Sequence, residues 1–223
     1  MWTRKRAARS TNSSRSSRSA TTSRTSTTTR IYPKTPRSDP GAPRRTLPQA
    51  TPPGGTVRIL GLDPGLASTG WGVLDADPGG ILYIAHGCIA TSASDPLENR
   101  LLDIYERVRG ILDLYGPAEV AMEALYFAKN VTSALSVSEA KGVLRLTCRL
   151  AGLAVVEYGP GAIKQSLVGQ GRADKTQVQE FVRMFLRLPE VPRPDHAADA
   201  LAAAVCHAHN RWFPERIPAT DPG

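Results

Sequence analysis

Asp63, Glu123 and the run Asp195-His196-Ala197-Ala198-Asp199 are the places in this 223-residue chain where groups able to do chemistry stand at the ends of apolar segments. Ile59-Leu60-Gly61-Leu62 delivers Asp63 to a break at Pro64-Gly65, and Val120-Ala121-Met122 delivers Glu123 in the same way. A carboxylate on a buried strand is costly unless it is paired, hydrogen-bonded or bound to a cation. For Asp63 alone, capping of the Pro-Gly turn is an equally good account. His196 and Asp199, three residues apart, share one face of a helix. Four such groups converging would repel one another without a cation, and oxygen-rich donors select Mg²⁺ or Mn²⁺. Two ions held in this way activate a water for in-line attack on a phosphodiester and stabilise the leaving oxygen.

Spacing does not choose between Asp195 and His196, because Asp195 and Asp199 are four apart and also share a face. Pro194 places Asp195 nearest the start of the helix, where a carboxylate serves as a cap. That favours His196 as the ligand, with both alternatives standing.

The elements that must position these groups follow from the hydrophobic pattern. Apolar runs at 57–63, 69–75 and 81–90, separated by Pro-Gly and Asp-Pro-Gly-Gly, predict three consecutive antiparallel strands. Leu97, Leu101, Ile104, Val108, Ile111 and Leu112 recur at helical spacing within 96–115, before Gly116-Pro117. A strand at 118–123, a long helix at 130–151 and a fifth strand at 153–158 come next. A Gly-rich loop region bearing Lys164 then leads to helices at 174–187 and 195–210. Three strands followed by alternating helices and strands predict an α/β domain of ribonuclease H-like order, a five-stranded mixed sheet flanked by helices. If strands one and four are adjacent and parallel, Asp63 and Glu123 emerge at one sheet edge.

Charge divides the chain sharply. Through Thr56 there are twelve Lys and Arg against one acid, Asp39, whereas from Val57 onward sixteen face nineteen acids. The overall +8 therefore belongs to the first segment and does not argue that the folded part binds a polyanion. Residues 1–56, rich in Ser, Thr, Arg and Pro, lack the large apolar residues of a core and are predicted to be disordered. A basic arm and an organelle transit peptide are two readings of them. The preferred one is that translation begins near Val57, where folding information starts abruptly. The folded domain is assigned to 57–210 and a short tail to 211–223. Cys88, Cys148 and Cys206 are widely spaced, odd in number and without ligand partners at metal-finger spacing, which predicts a reducing, cytoplasmic setting. No apolar run approaches the length needed to cross a bilayer.

From Val57 to about Asn210 the chain resembles the RuvC family, the Holliday junction resolvases of bacteria. The residues that carry the resemblance are Ile59-Leu60-Gly61-Leu62-Asp63-Pro64-Gly65 with Thr69-Gly70, Gly87-Cys88-Ile89, and Glu123 followed by Tyr126-Phe127-Ala128-Lys129-Asn130 and Ser133-Ala134-Leu135. Lys141-Gly142, Ile163-Lys164-Gln165, Val168-Gly169-Gln170-Gly171, Asp174-Lys175-Thr176-Gln177-Val178 and Ala197-Ala198-Asp199-Ala200-Leu201-Ala202 continue it in order.

The resemblance implies a homodimeric, metal-dependent endonuclease that makes paired symmetric nicks in four-way DNA junctions during recombination and repair. Its acidic site would fall on Asp63, Glu123, His196 and Asp199, holding two Mg²⁺ or Mn²⁺ ions. The family more often has Asp at the His196 position, though some members carry His. It also implies that Tyr126 stacks on an unpaired base, that Lys164 and Lys175 contact phosphate, with Lys129 and Arg172 as weaker candidates, that helix 130–151 contributes to the dimer, and that RuvA and RuvB are partners. Without the resemblance, Tyr126 and Phe127 read as core and the lysines as solvated surface. His86, His207 and His209 have no partner nameable from sequence and read as structural.

Three other readings compete. The Asp63-Pro64-Gly65 turn with Thr69-Gly70 also suits the phosphate hairpin of an actin-like ATPase, but the folded length does not provide the second lobe. A ribonuclease H shares the fold, and a junction-binding protein inactive through His196 shares the surface.

Overall fold

The structure, a computed structural model, describes residues 55–124, 131–169, 171 and 173–212, with the backbone alone at 131–134. The expectations for the basic N-terminal segment and for most of the C-terminal tail lie outside these residues. Five strands form one sheet in the order β3-β2-β1-β4-β5. The strands are β1 (Val57–Asp63), β2 (Ser68–Asp77), β3 (Gly80–Ala90), β4 (Glu119–Glu123) and β5 (Val155–Tyr158). β2 runs antiparallel to both β1 and β3, while β4 runs parallel to both β1 and β5. The helices are α1 (Leu97–Tyr115), α2 (Val131–Leu150), α3 (Pro160–Val168), α4 (Lys175–Phe185) and α5 (Asp195–Trp212). The mixed, helix-flanked sheet is the predicted α/β architecture. Among the described residues no helix is long and apolar enough to cross a membrane, and all three cysteines are free.

One expectation needs correction. The segment bearing Lys164, read as a Gly-rich loop, is the helix α3. Its glycines are confined to the flanks and first turn: Gly159 precedes it, Pro160 opens it with a backbone angle already suited to a helix, and Gly169 closes it in the left-handed conformation. Ile163 and Leu167, one turn apart, are buried and hold it against the core.

Strand parity decides which face each side chain serves. On β1, Leu60 and Leu62 face a core shared with α1 and α2, whereas Val57 and Ile59 face α3, α4 and α5. The two-residue period therefore sends Gly61 and Asp63 to the α5 face as well. The same parity puts Glu119, Ala121 and Glu123 of β4 under α5.

That face is cut unusually low. A Cβ at Gly70 would overlap the carbonyl oxygen of His196, and one at Gly61 would overlap that of Ala200. Opposite these glycines α5 is rich in alanine, with Ala197, Ala198, Ala200, Ala202, Ala203, Ala204 and Ala208 all buried. Small residues on both surfaces let the helix backbone settle almost onto the sheet.

At the far end of α5 a polar anchor fixes its rotation. His207 donates from Nε2 to Glu119 Oε2 at 2.8 Å and accepts at Nδ1 from the Tyr158 hydroxyl at 2.7 Å, while Arg211 pairs with the other Glu119 oxygen. The hydrogen bond from His207 is the main reason the Glu119 carboxyl is held below the usual carboxylate range, with Arg211 adding to it against the opposing effect of burial. Its stabilising contribution is therefore complete above the ordinary value of 4.5 and is lost as pH falls through the lowered one. Glu119→Gln is expected to lower stability at pH 7 by roughly 1–3 kcal/mol. The difference from wild type should shrink when denaturant unfolding is repeated below pH 4.5. A difference constant with pH would remove the Glu119 charge from the account.

Candidate active site

β1 ends on Asp63, only 8% exposed, and the hairpin that follows is tied down by hydroxyls. Thr69 Oγ1 donates to the Gly65 carbonyl at 2.7 Å, and Thr91 Oγ1 donates to that of Leu66 at 2.6 Å. Both bonds keep residues 64–67 folded away from the strand end. The parallel register pairs Leu62 with Met122, so the next residues along, Asp63 and Glu123, stand side by side at the same edge.

α5 closes the group from above. Ligand atoms of Asp63, His196 and Asp199 all lie within 4.8 Å of one another. His196 Nδ1 donates to Asp63 Oδ2 at 2.6 Å, a bond that raises the imidazole pKa against the opposing effect of burial. The Asp199 carboxyl is pushed up by burial and by Asp63, with Lys175 working the other way. Glu123, beside the trio, is pushed up to about 8 by burial first, then by the charges of Asp63 and Asp199.

Three carboxylates are gathered here, and for Glu123 and Asp199 burial beside Asp63 makes carrying a charge costly. Two of them with an imidazole make a donor set suited to a divalent cation. Such an ion would replace the proton between His196 and Asp63 and draw Glu123 into its ionised form. The residues present therefore fit a cation.

Asp195 is not in the group of three. Its carboxylate lies 3.2 Å from Lys175 Nζ, across on α4, and it stands in the first turn of α5. Lys175 Nζ is also 3.2 Å from Asp199 Oδ2. The ammonium pKa is raised overall, since burial lowers it but Asp199 and Asp195 outweigh that. A capping box fixes the backbone just before it, because Asp174 Oδ1 accepts from the Gln177 N–H at 2.8 Å and Gln177 Oε1 accepts from that of Asp174 at 3.0 Å. Lys164 sits half-buried on α3, and among the described residues no ion pair joins it to the acidic group. Tyr126, Phe127, Lys129 and Arg172 lie outside the described residues.

Sequence reasoning missed two features, the double pairing of Lys175 and the partners of His207. The capping pattern Asp174-x-x-Gln177 was a legible signal for a fixed Lys175; nothing local pointed from His207 to Glu119 and Tyr158.

Residues 59–207 match the family described as "Crossover junction endodeoxyribonuclease RuvC". A relative of that name from Roseiflexus sp. (strain RS-1) is 48% identical over 161 residues, which are 72% of this chain and 96% of the relative. Another from Thermotoga maritima is 49% identical over 154 residues, 69% of this chain and 92% of that one. Among solved structures, Thermus thermophilus RuvC in complex with Holliday junction substrate superposes with a TM-score of 0.67. It shares 34% identity and covers 71% of this chain and 96% of its own.

Proposed function

The chain belongs to the RuvC family of crossover junction endodeoxyribonucleases, and from that premise we propose that it resolves four-way DNA junctions by paired, symmetric phosphodiester hydrolysis in recombination and repair. The observation that carries this reading is the convergence of Asp63, His196 and Asp199 within 4.8 Å, with Glu123 beside them, at an open sheet edge. Asp63, Glu123, His196 and Asp199 would hold Mg²⁺ or Mn²⁺, two ions per site. Bound there, the cations supply activation of the attacking water and stabilisation of the leaving oxygen.

The chain's own residues do the rest. Glu123, whose carboxyl is pushed up to about 8 by burial and by the charges of Asp63 and Asp199, would ionise more readily beside a bound cation. Lys175 stands at the rim, where an ammonium can meet a phosphate oxygen, and Lys164 and Tyr126 are the further DNA contacts we assign. Paired nicks require two sites related by a two-fold axis. A homodimer is supported by Leu135, Leu146 and Leu150, which α2 leaves 62%, 58% and 68% exposed. RuvA and RuvB are the branch-migration partners that the family implies.

The test presents the protein with a synthetic four-way junction, a linear duplex and an RNA–DNA hybrid, in Mn²⁺ and in Mg²⁺. Cleavage confined to the junction is expected, faster in Mn²⁺ because imidazole suits Mn²⁺ better than Mg²⁺. Hybrid cleavage would point to a ribonuclease H. Binding without cleavage in either metal would point to a junction-binding protein, and equal rates in the two metals would remove His196 as a ligand.

A further inference from the structure

Lys175 has two carboxylate partners, and only one of them belongs to the cluster that would receive a cation. Its Nζ stands 3.2 Å from Asp199 Oδ2 and 3.2 Å from Asp195 Oδ2, bridging the two as a single ammonium. The partners differ in setting. The Asp199 side chain is 24% exposed and belongs to the group of three, whereas that of Asp195 is 47% exposed and does not. Arg193 Nη1 is 3.8 Å from the other Asp195 oxygen, and the Gln179 amide, one turn along α4 from Lys175, also faces Asp195.

A cation on Asp199 changes this balance. Held by Asp199, a cation would take up lone pairs and charge that Asp199 now offers Lys175, and would set a second positive centre close to the ammonium. Asp199 alone would then no longer retain Lys175. Asp195, outside the coordination group, keeps its charge whatever Asp199 binds. The capping box of α4 meanwhile holds the Lys175 backbone still, so the side chain needs only one remaining tether.

We propose that Asp195 is a positioning residue that retains the Lys175 ammonium at the rim of the site when Asp199 is committed to a cation. It keeps that ammonium ready for a phosphate oxygen of the DNA. The inference rests on the assignment of Asp63, His196 and Asp199 as the cation site.

The test is a double-mutant cycle of wild type, Asp195→Asn, Lys175→Ala and the combined variant, with single-turnover cleavage of a four-way junction and Mn²⁺ titration without DNA. Asp195→Asn is expected to slow cleavage roughly 10- to 100-fold, the usual scale for an outer partner of a metal site. In the Lys175→Ala background the same change should have no further effect, and Asp195→Glu should restore most of the rate. Without DNA, Asp195→Asn should weaken Mn²⁺ binding, because Lys175 is left competing for Asp199, and Lys175→Ala should abolish that weakening. Equal losses in both backgrounds, or a wild-type rate in Asp195→Asn, would overturn the proposal. Thermal melts of each variant separate these results from misfolding. If Asp63→Asn still cleaves, the site assignment falls first; if it does not and the cycle is additive, only the role of Asp195 falls.

Discussion

Asp63→Asn is expected to lower junction cleavage by at least about 10³-fold, the scale seen when a group acting on the reacting atoms is removed. Junction binding should hold or tighten. The substitution keeps the shape of the side chain and leaves an amide oxygen to accept from His196, so the 2.6 Å contact does not become a void. What disappears is the negative charge shared among three groups within 4.8 Å of one another. Mn²⁺ titration should show weaker binding, and the phosphodiester should meet less repulsion on approach. The Glu123 carboxyl, raised partly by Asp63, should titrate lower in the variant. Single-turnover cleavage and a gel-shift measurement on the same junction check both halves. Cleavage within a few-fold of wild type would place the reacting centre elsewhere.

The second large effect concerns packing. Gly70→Ala is expected to cost about 3 kcal/mol or more, at the upper end of overpacking penalties, because the new methyl meets backbone rather than a movable side chain. The obstructed group is the carbonyl of His196, so relief of the overlap must lift the start of α5 away from Asp63. Cleavage should therefore fall by more than the unfolded fraction explains. Gly110→Ala supplies the contrast. It lies inside α1 with open space where a Cβ would stand, and replacing a helix-interior glycine there should stabilise by up to about 1 kcal/mol. Denaturant unfolding of the two variants side by side tests the claim, and comparable small effects would mean that α5 is not bedded on the β1–β2 glycines.

Much of this architecture was legible because each strand announces itself. Runs such as Val57–Leu62, punctuated by Pro-Gly, give both the strand and its end, and a carboxylate at that end is visible without any structure. Strand direction carried the inference further, since Asp63 and Glu123 emerge at one sheet edge only if their strands are adjacent and parallel, as they are. α3 was hidden because Gly159, Gly161 and Gly169 dominate its local composition while only Ile163 and Leu167 mark its buried side. The pairing of Asp195 with Lys175 was hidden for another reason. Whether a carboxylate at the first turn of a helix caps that helix or reaches across to another is decided by what stands opposite, and α4 lies twenty residues earlier. Partners such as His207 and Glu119, eighty-eight residues apart, carry no local pattern at all.

The bedding of α5 on the sheet also has a consequence for the order of events during synthesis. Asp63 and Glu123 can be brought together once β4 has paired with β1, but His196 and Asp199 belong to the last described element, separated from Asp63 by more than 130 residues. A nascent chain that has not yet released α5 from the ribosome holds two carboxylates with nothing to complete them. It also leaves uncovered the glycine-lined face on which that helix will settle. On the proposed site, nuclease competence would arrive only with the docking of one alanine-rich helix, so a chain lacking α5 is expected not to cut DNA.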